Sequence, residues 1–284
     1  SPEEAAKRFV LHPDCKIELV ACEPDVIDPV HIAFNTDGKL WVVEYTDYPN
    51  GPGDGQPGLS RIRVLSDDDE DGRYNNPVTF AEKLLFANGL MFWKDGVIVT
   101  TDGKIQFMRD TDGDGKSDET QVWFEGFATK NPQLRHNHPQ LAIDCKIYVA
   151  NGLRGGDIVP GPDNPWGLDP KAKPLSISGR DFRFDPLNGK YEAIAGMGQF
   201  GMTFDQFGNR FVCTNRNPCR QIVLEDEQLK LTPGLRIPRF YEDVAAAGED
   251  SKLYPLSRTW TTSNLHANQF TAACGVLIYN GGPL

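Results

Sequence analysis

No run of about 18 apolar residues occurs in the 284 positions, so no segment reads as a bilayer-spanning helix. Positive charge is scarce: 29 Lys and Arg stand against 40 Asp and Glu, a formal charge of −11. That balance disfavours a nucleic-acid partner, which needs a basic surface to displace counterions from phosphates, and it disfavours an acidic membrane for the same reason. No phosphate-cradling Gly-rich loop, no Gly-x-Ser-x-Gly elbow and no Cys-x-x-Cys-His haem attachment is present. The chain starts at Ser1-Pro2 without a basic and apolar leader, which fits a processed mature form or a trimmed chain equally. Helical periodicity is weak except at Pro2 to Phe9 and at Tyr241 to Ala247.

What is abundant is turn chemistry, with 28 Gly and 21 Pro beside 39% hydrophobic residues, the composition of a loop-rich globular chain. One local pattern returns along it: a short apolar strand, a turn with Gly or Asp, then a β-branched or aromatic strand. Copies are Ile32-Ala33-Phe34 to Leu40-Trp41-Val42-Val43, Leu90-Met91-Phe92 to Val97-Ile98-Val99, Leu141-Ala142-Ile143 to Ile147-Tyr148-Val149, and Met202-Thr203-Phe204 to Arg210-Phe211-Val212. Cys274 to Tyr279 reads as the start of a fifth. Turn positions 38, 96, 145, 208 and 275 are 58, 49, 63 and 67 residues apart, a four-stranded blade of about 40 to 50 residues plus insertions. Arg61 to Leu65, Lys104 to Met108, Asp181 to Asp185 and Gln221 to Leu224 supply outer strands. The expected fold class is all-β, a β-propeller of four-stranded blades, complete or partial, with 1–284 as one propeller domain. Lys16 to Val20 is a candidate closing strand; a β-sandwich would explain the strands but not the repeat.

Asp110-Thr111-Asp112-Gly113-Asp114-Gly115-Lys116-Ser117-Asp118 places Asp at positions 1, 3, 5 and 9 with Gly at 6. Alternate hard oxygens can converge on one Ca2+ while the Gly permits the sharp turn. A second copy, Asp67, Asp69, Asp71 and Asn75, lies 43 residues earlier. Position 12 is Gln121 or Val78 rather than Glu, which argues against a helix-flanked EF-hand and for calcium-binding hairpin loops between strands. Two Ca2+ ions are therefore expected, in structural roles; the alternative is a solvated acidic turn without metal.

A second constellation, Arg135-His136-Asn137-His138-Pro139-Gln140, precedes the third inner strand, and residues leading into inner strands project toward a propeller's channel. His136 and His138, two apart on an extended segment, face the same way and are candidates for proton transfer or metal binding. Arg154, Arg216 and His266 occupy comparable places, and cations converging on one mouth suit a carboxylate, quinone or sugar. Glu44, directly after the first inner strand, is the acidic candidate for the same substrate or cofactor site. Surface or blade-bridging partners are the plain alternative for each. Six cysteines (Cys15, Cys22, Cys145, Cys213, Cys219, Cys274) form an even set compatible with disulfides and an oxidising compartment, Cys213 with Cys274 or Cys15 with Cys22 being the pairs considered.

Ile17 to Pro24, Leu40 to Pro49, the Asp110 loop, Arg180-Asp181-Phe182-Arg183-Phe184-Asp185-Pro186, and Gly198-Gln199-Phe200-Gly201 with Asn215-Arg216-Asn217-Pro218 together resemble one family. It is the N-terminal propeller of the membrane-bound dehydrogenases of planctomycetes and verrucomicrobia. The resemblance implies an exported, extracytoplasmic protein of which this chain is the N-terminal part, continuing toward helical-repeat and c-type cytochrome modules. It also implies a distant likeness to soluble quinoprotein sugar dehydrogenases, which hold pyrroloquinoline quinone (PQQ) and calcium and act on a sugar or alcohol. The catalytic histidine there precedes a strand similar to Leu141 to Tyr148, so the resemblance favours His136 over His138. The quinone-clasping arginine expected near Gly196 to Phe200 is missing, and Cys145 stands where the turn Gly is usual. The alternative function is a non-catalytic ligand- or protein-binding propeller module.

Overall fold

The computed structural model describes residues 1–231, 233–252 and 269–281. Four antiparallel sheets account for nearly all regular structure. The first runs β1 (Pro29–Phe34), β2 (Leu40–Glu44), β3 (Ser60–Leu65) and β4 (Val78–Leu84) in simple sequential order. The second adds β5 (Gly89–Trp93), β6 (Gly96–Thr101), β7 (Lys104–Arg109) and β8 (Glu119–Phe127), extended past β8 by β11 (Gly156–Pro160) and β12 (Leu175–Ser176). The third comprises β9 (Asn137–Leu141), β10 (Ile147–Ala150), β13 (Asp181–Phe184) and β14 (Tyr191–Ile194), and the fourth β15 (Met202–Phe204), β16 (Arg210–Thr214), β17 (Asn217–Ile222) and β18 (Tyr241–Asp243). Each four-stranded meander is a blade, so the fold is all-β and β-propeller-like, as the repeat in the sequence implies. Among the described residues no helix is long and apolar enough to cross a membrane.

The chain divides into two compact units, residues 1–101 with 107–120, and residues 102–106 with 121–284. In the first, Val43, Ile62, Phe80, Leu90, Val97 and Val99 close one core, and Val26, Leu40, Val42 and Leu65 a second on the other face of the sheet. The alternation of the strand residues decides this: Val42 and Val43 are both buried because the sheet is covered on both sides. Each such side chain contributes roughly 1.5–3 kcal/mol by leaving water.

In the second unit the core of the third blade is aromatic. Phe124 sits 5.0 Å from Phe184 and 5.2 Å from Phe182 between ring centroids, with Tyr191 at 5.3 Å. All four residues of β13 are buried, including Asp181 and Arg183, so the alternation of that strand places charge on a covered face. Arg183 is satisfied there by Tyr148 Oη (2.7 Å), Glu192 Oε1 (2.8 Å) and the Glu227 carboxylate.

Several sequence expectations are corrected. Tyr241 to Ala247 forms no helix: Tyr241, Glu242 and Asp243 pair with Ile222, Gln221 and Arg220 as the fourth strand of their blade, a long-range pairing that overrides weak local periodicity. Cys274 to Tyr279 forms no strand; it runs beside β15, tied by Gly275 N–H to Phe200 O (2.7 Å) and by Ile278 N–H to Thr203 Oγ1 (3.5 Å). Lys16 to Val20 likewise has no ladder; a backbone bond from Tyr74 N–H to Val20 O at 2.8 Å ties it down. All six cysteines are free thiols, and the Cys213 S–H has the Phe200 carbonyl at 3.1 Å as its nearer acceptor and the Ala273 carbonyl at 3.7 Å.

Candidate functional site

In both Asp loops the first Asp organises the backbone. Asp67 accepts N–H bonds from Asp71 (3.1 Å) and Gly72 (3.0 Å), and Asp110 accepts from Gly113 (2.7 Å) and Gly115 (2.8 Å). The bond from Gly115 is the leading cause that holds the Asp110 carboxyl below its usual range. Positive φ at Gly72 (87°), Gly113 (84°) and Gly115 (84°) lets the backbone wrap the carboxylates. One oxygen from each of Asp67, Asp69 and Asp71 can lie within 4.8 Å of the others, and the same holds for Asp110, Asp112 and Asp118. Three hard oxygens so close repel one another and match the donor chemistry of Ca2+. Asp114 stays outside its group, its Oδ1 accepting the Lys116 N–H at 2.8 Å.

In the second unit a polar web joins the loops that carry four of the candidates. Asn137 is its centre: the side-chain amide donates to Arg135 O (2.8 Å) and Gln199 O (2.7 Å). Gln199 Oε1 accepts the Asn215 N–H at 2.8 Å, and Gly152 N–H reaches Gly198 O at 2.9 Å. Gly152 has φ 73°, and a Cβ there would run into the Arg135 carbonyl, so the close approach of the two loops requires glycine. Residues 135–138, 151–155, 196–201 and 213–216 are thus tied into one constellation, which brings the segments of His136, His138, Arg154 and Arg216 together. Arg154 is exposed; Arg216 is half-buried, with Nη2 on Gln269 Oε1 (2.7 Å) and a buried Nε that has no hydrogen-bond partner among the described residues.

The two histidines differ sharply. His136 is 1% exposed, stacked on Phe127 with ring centroids 3.9 Å apart, and its Nε2 lies 2.9 Å from Lys104 O. Since a carbonyl only accepts, Nε2 carries the proton and Nδ1 the lone pair, and Nδ1 is buried without a partner among the described residues. Burial drives its pKa down to about 4. His138, in β9 with φ 50°, is half-buried, and its Nδ1 lies 3.0 Å from Asn137 Oδ1. With both Asn137 N–H groups already donated, Oδ1 accepts from Nδ1–H, which fixes the tautomer with the basic lone pair on Nε2.

A family model described as "Domain of unknown function (DUF7133)" matches residues 1–284. The chain belongs to this family. No curated protein sequence matches it. Among solved structures, this DUF7133 chain is similar to the PQQ domain of pyranose dehydrogenase from Coprinopsis cinerea in its holo form, with TM-score 0.43 and 12% identity over 69% of this chain and 44% of that one. It is similar to the Trichoderma reesei Carbohydrate-Active Enzymes Family AA12 protein (TM-score 0.45, 13% identity, 72% and 47% coverage). A third likeness is to an oxidoreductase described as glucose dehydrogenase from Thermus thermophilus (TM-score 0.32, 16% identity, 78% and 84% coverage). The chain spans less than half the length of the first two. At these identities and scores none of the three assigns a site or an activity to this chain.

Glu44 is fully buried in the first unit, where Oε1 accepts the Ile27 N–H (2.9 Å) and Oε2 pairs with Arg61, both obligations of the fold. Its neighbour Asp47, which sequence reasoning passed over, accepts from the N–H groups of Leu59 (2.7 Å), Ser60 (3.0 Å) and Phe86 (2.7 Å) and from the Ser60 hydroxyl. His266 lies outside the described residues. Asn137, Asn151, Asp181 and Gln199 were also missed: Asn151 and Asp181 hold the β10 and β13 ends together through Asn151 N–H to Asp181 Oδ1 (3.0 Å). An Asn or Gln inside a turn-rich stretch carries no distinguishing spacing, so only the Asn137-His138 neighbourhood could have signalled it.

Proposed function

We propose that this DUF7133 chain is the propeller part of an exported, quinone-dependent oxidoreductase acting on a sugar or alcohol, with structural calcium in both Asp loops. The observation that carries the proposal is the Asn137 to His138 contact. An asparagine whose amide is anchored on two backbone carbonyls holds the imidazole in the tautomer whose Nε2 can accept a proton, the arrangement a general base needs. His138 rather than His136 is therefore the group assigned to take the hydroxyl proton as the substrate C–H leaves as hydride. A base with a pKa near 4, as His136 has, holds a proton too weakly to drive that step near neutral pH.

A bound PQQ would supply the hydride acceptor. Its carboxylates would pair with the exposed guanidinium of Arg154 and the half-buried guanidinium of Arg216. Asp67, Asp69 and Asp71 would hold one Ca2+, and Asp110, Asp112 and Asp118 the other. Two electrons must then leave the site, which suits a c-type cytochrome domain or protein of the kind the membrane-bound dehydrogenase resemblance implies. The test is reconstitution with PQQ and Ca2+ followed by dye-linked turnover on a panel of sugars and alcohols. Turnover that His138→Gln abolishes while PQQ still binds supports the proposal. Absence of turnover on every substrate removes it.

A specific observation favours a second reading. His136, the position matched by the quinoprotein resemblance, is packed against Phe127 and cannot touch a substrate in this arrangement. In that reading the chain is a non-catalytic ligand- or protein-binding module, and it predicts quinone-independent binding with no turnover.

A further inference from the structure

A cavity of about 550 Å3 lies in the first unit, within the range of roughly 300–1,000 Å3 typical of small-molecule sites. It has no part in the constellation around Asn137. Four connections wall it: the β1–β2 turn, the β5–β6 turn, and the flanks of both Asp loops, which contribute Ser66, Asn76, Asp110 and Gly115. The close packing of the loops on β4 builds the wall, since Ser117 N–H donates to Phe80 O at 2.7 Å.

Its lining joins two kinds of chemistry. One side is aromatic: Trp41 stands edge-on to Phe80 (4.6 Å) and Phe92 (5.4 Å), and Phe34 is 54% exposed, much for a large apolar ring. The other side carries charge of both signs, Lys39 and Lys94 together with Asp37, Asp95 and Asp110. Lys94 places its ammonium 5.8 Å from the Trp93 ring centroid and adds to the field that holds the Asp95 carboxyl low, behind the Arg109 hydrogen bond. Asp95 is held by Arg109 at 2.8 Å.

Asp95 is already paired with Arg109 and Asp110 is bonded within its own loop, so an anion entering here meets chiefly the Asp37 carboxylate, and a cation meets two ammonium groups. A neutral polyhydroxylated ring meets neither penalty. Its hydroxyls accept from the lysines and donate to the carboxylates and to Ser66 or Thr36, while its C–H face covers an aromatic ring. We infer that this cavity is a saccharide-binding site for one or two neutral sugar rings, separate from the proposed oxidation chemistry. It would hold a glycan chain or a product against the protein without reacting with it.

The experiment is calorimetric titration of the intact, calcium-saturated chain with glucose, cellobiose and maltose, and with glucuronate and glucosamine as charged analogues. At least one neutral sugar binds saturably, and both charged analogues bind at least tenfold more weakly than their neutral counterpart. Phe34→Ala and the double change Lys39→Ala with Lys94→Ala each weaken the neutral sugar at least tenfold, whereas His138→Gln leaves it unchanged. These side chains are exposed or only part-buried, and a far-ultraviolet spectrum matching the parent confirms that each variant folds. The inference is overturned if no neutral sugar binds, if glucuronate binds as tightly as glucose, or if His138→Gln rather than the cavity variants removes binding. The last result would place the sugar at the constellation of the Proposed function, so the two readings fail separately.

Discussion

Asp181 and Arg210 form an ion pair at 2.8 Å in which neither side chain is exposed to solvent. The pair is complete: Asp181 Oδ1 also accepts the N–H groups of Asn151 (3.0 Å) and Gly198 (2.9 Å), and Arg210 reaches both oxygens of Glu225 at 2.9 Å and the Ala195 carbonyl. Burial pushes the Asp181 carboxyl above its usual range, against the pull of Arg210 and the two N–H groups. Removing one partner strands a buried charge, so Arg210→Met should cost about 3–5 kcal/mol. Urea titration reads this, and the double variant Asp181→Asn with Arg210→Met should recover part of the loss. Equal loss in single and double variants would mean that Arg210 matters through packing alone.

His136 makes stability depend on pH with a definite sign. Its folded pKa is about 4 against an ordinary value of 6.5, so between those values the unfolded chain binds a proton that the folded chain refuses. Stability therefore falls as pH drops through that window and is fully present above it, by on the order of 3 kcal/mol over the whole span. His136→Phe removes this dependence while keeping a ring on Phe127. The measurement is the difference between parent and variant in unfolding free energy at about pH 7 and about pH 4.5; an unchanged difference contradicts the assignment.

Chelation should lower the melting temperature, because an ion that binds only the folded chain stabilises it by mass action, about 2.7 kcal/mol at a hundredfold excess over Kd. Asp112→Ala should cost more than Asn75→Ala, since a carboxylate brings charge as well as an oxygen. It should also cost more than Asp114→Asn, because Asp112 and not Asp114 belongs to the convergent group. Melting curves with and without chelator, beside elemental analysis for calcium, decide it.

Asp47→Ala should cost on the order of 3 kcal/mol, since it leaves the buried N–H groups of Ser60 and Phe86 and the Ser60 hydroxyl without their acceptor. Glu44→Gln should cost less, because the amide oxygen can still accept from Ile27 N–H. Thermal unfolding of the two variants side by side tests the order.

The sequence by itself determined what depends on spacing within one segment. Short apolar runs at Leu40 to Val43 and Val97 to Val99 marked β2 and β6, and Asp at every second position marked both Asp loops, because strand burial and carboxylate convergence are set by neighbours a few residues apart. It misread Tyr241 to Asp243, whose strand exists only through pairing with Arg220 to Ile222. It also ranked His136 and His138 by position, which cannot distinguish a ring sealed against Phe127 from one held at Nδ1 by Asn137. Tertiary structure decided that difference. Burial sets the cost of charging an imidazole, and the partner of one ring nitrogen sets which nitrogen is basic; both come from segments far apart in the chain, Lys104 for one histidine and the Gln199 loop that anchors Asn137 for the other.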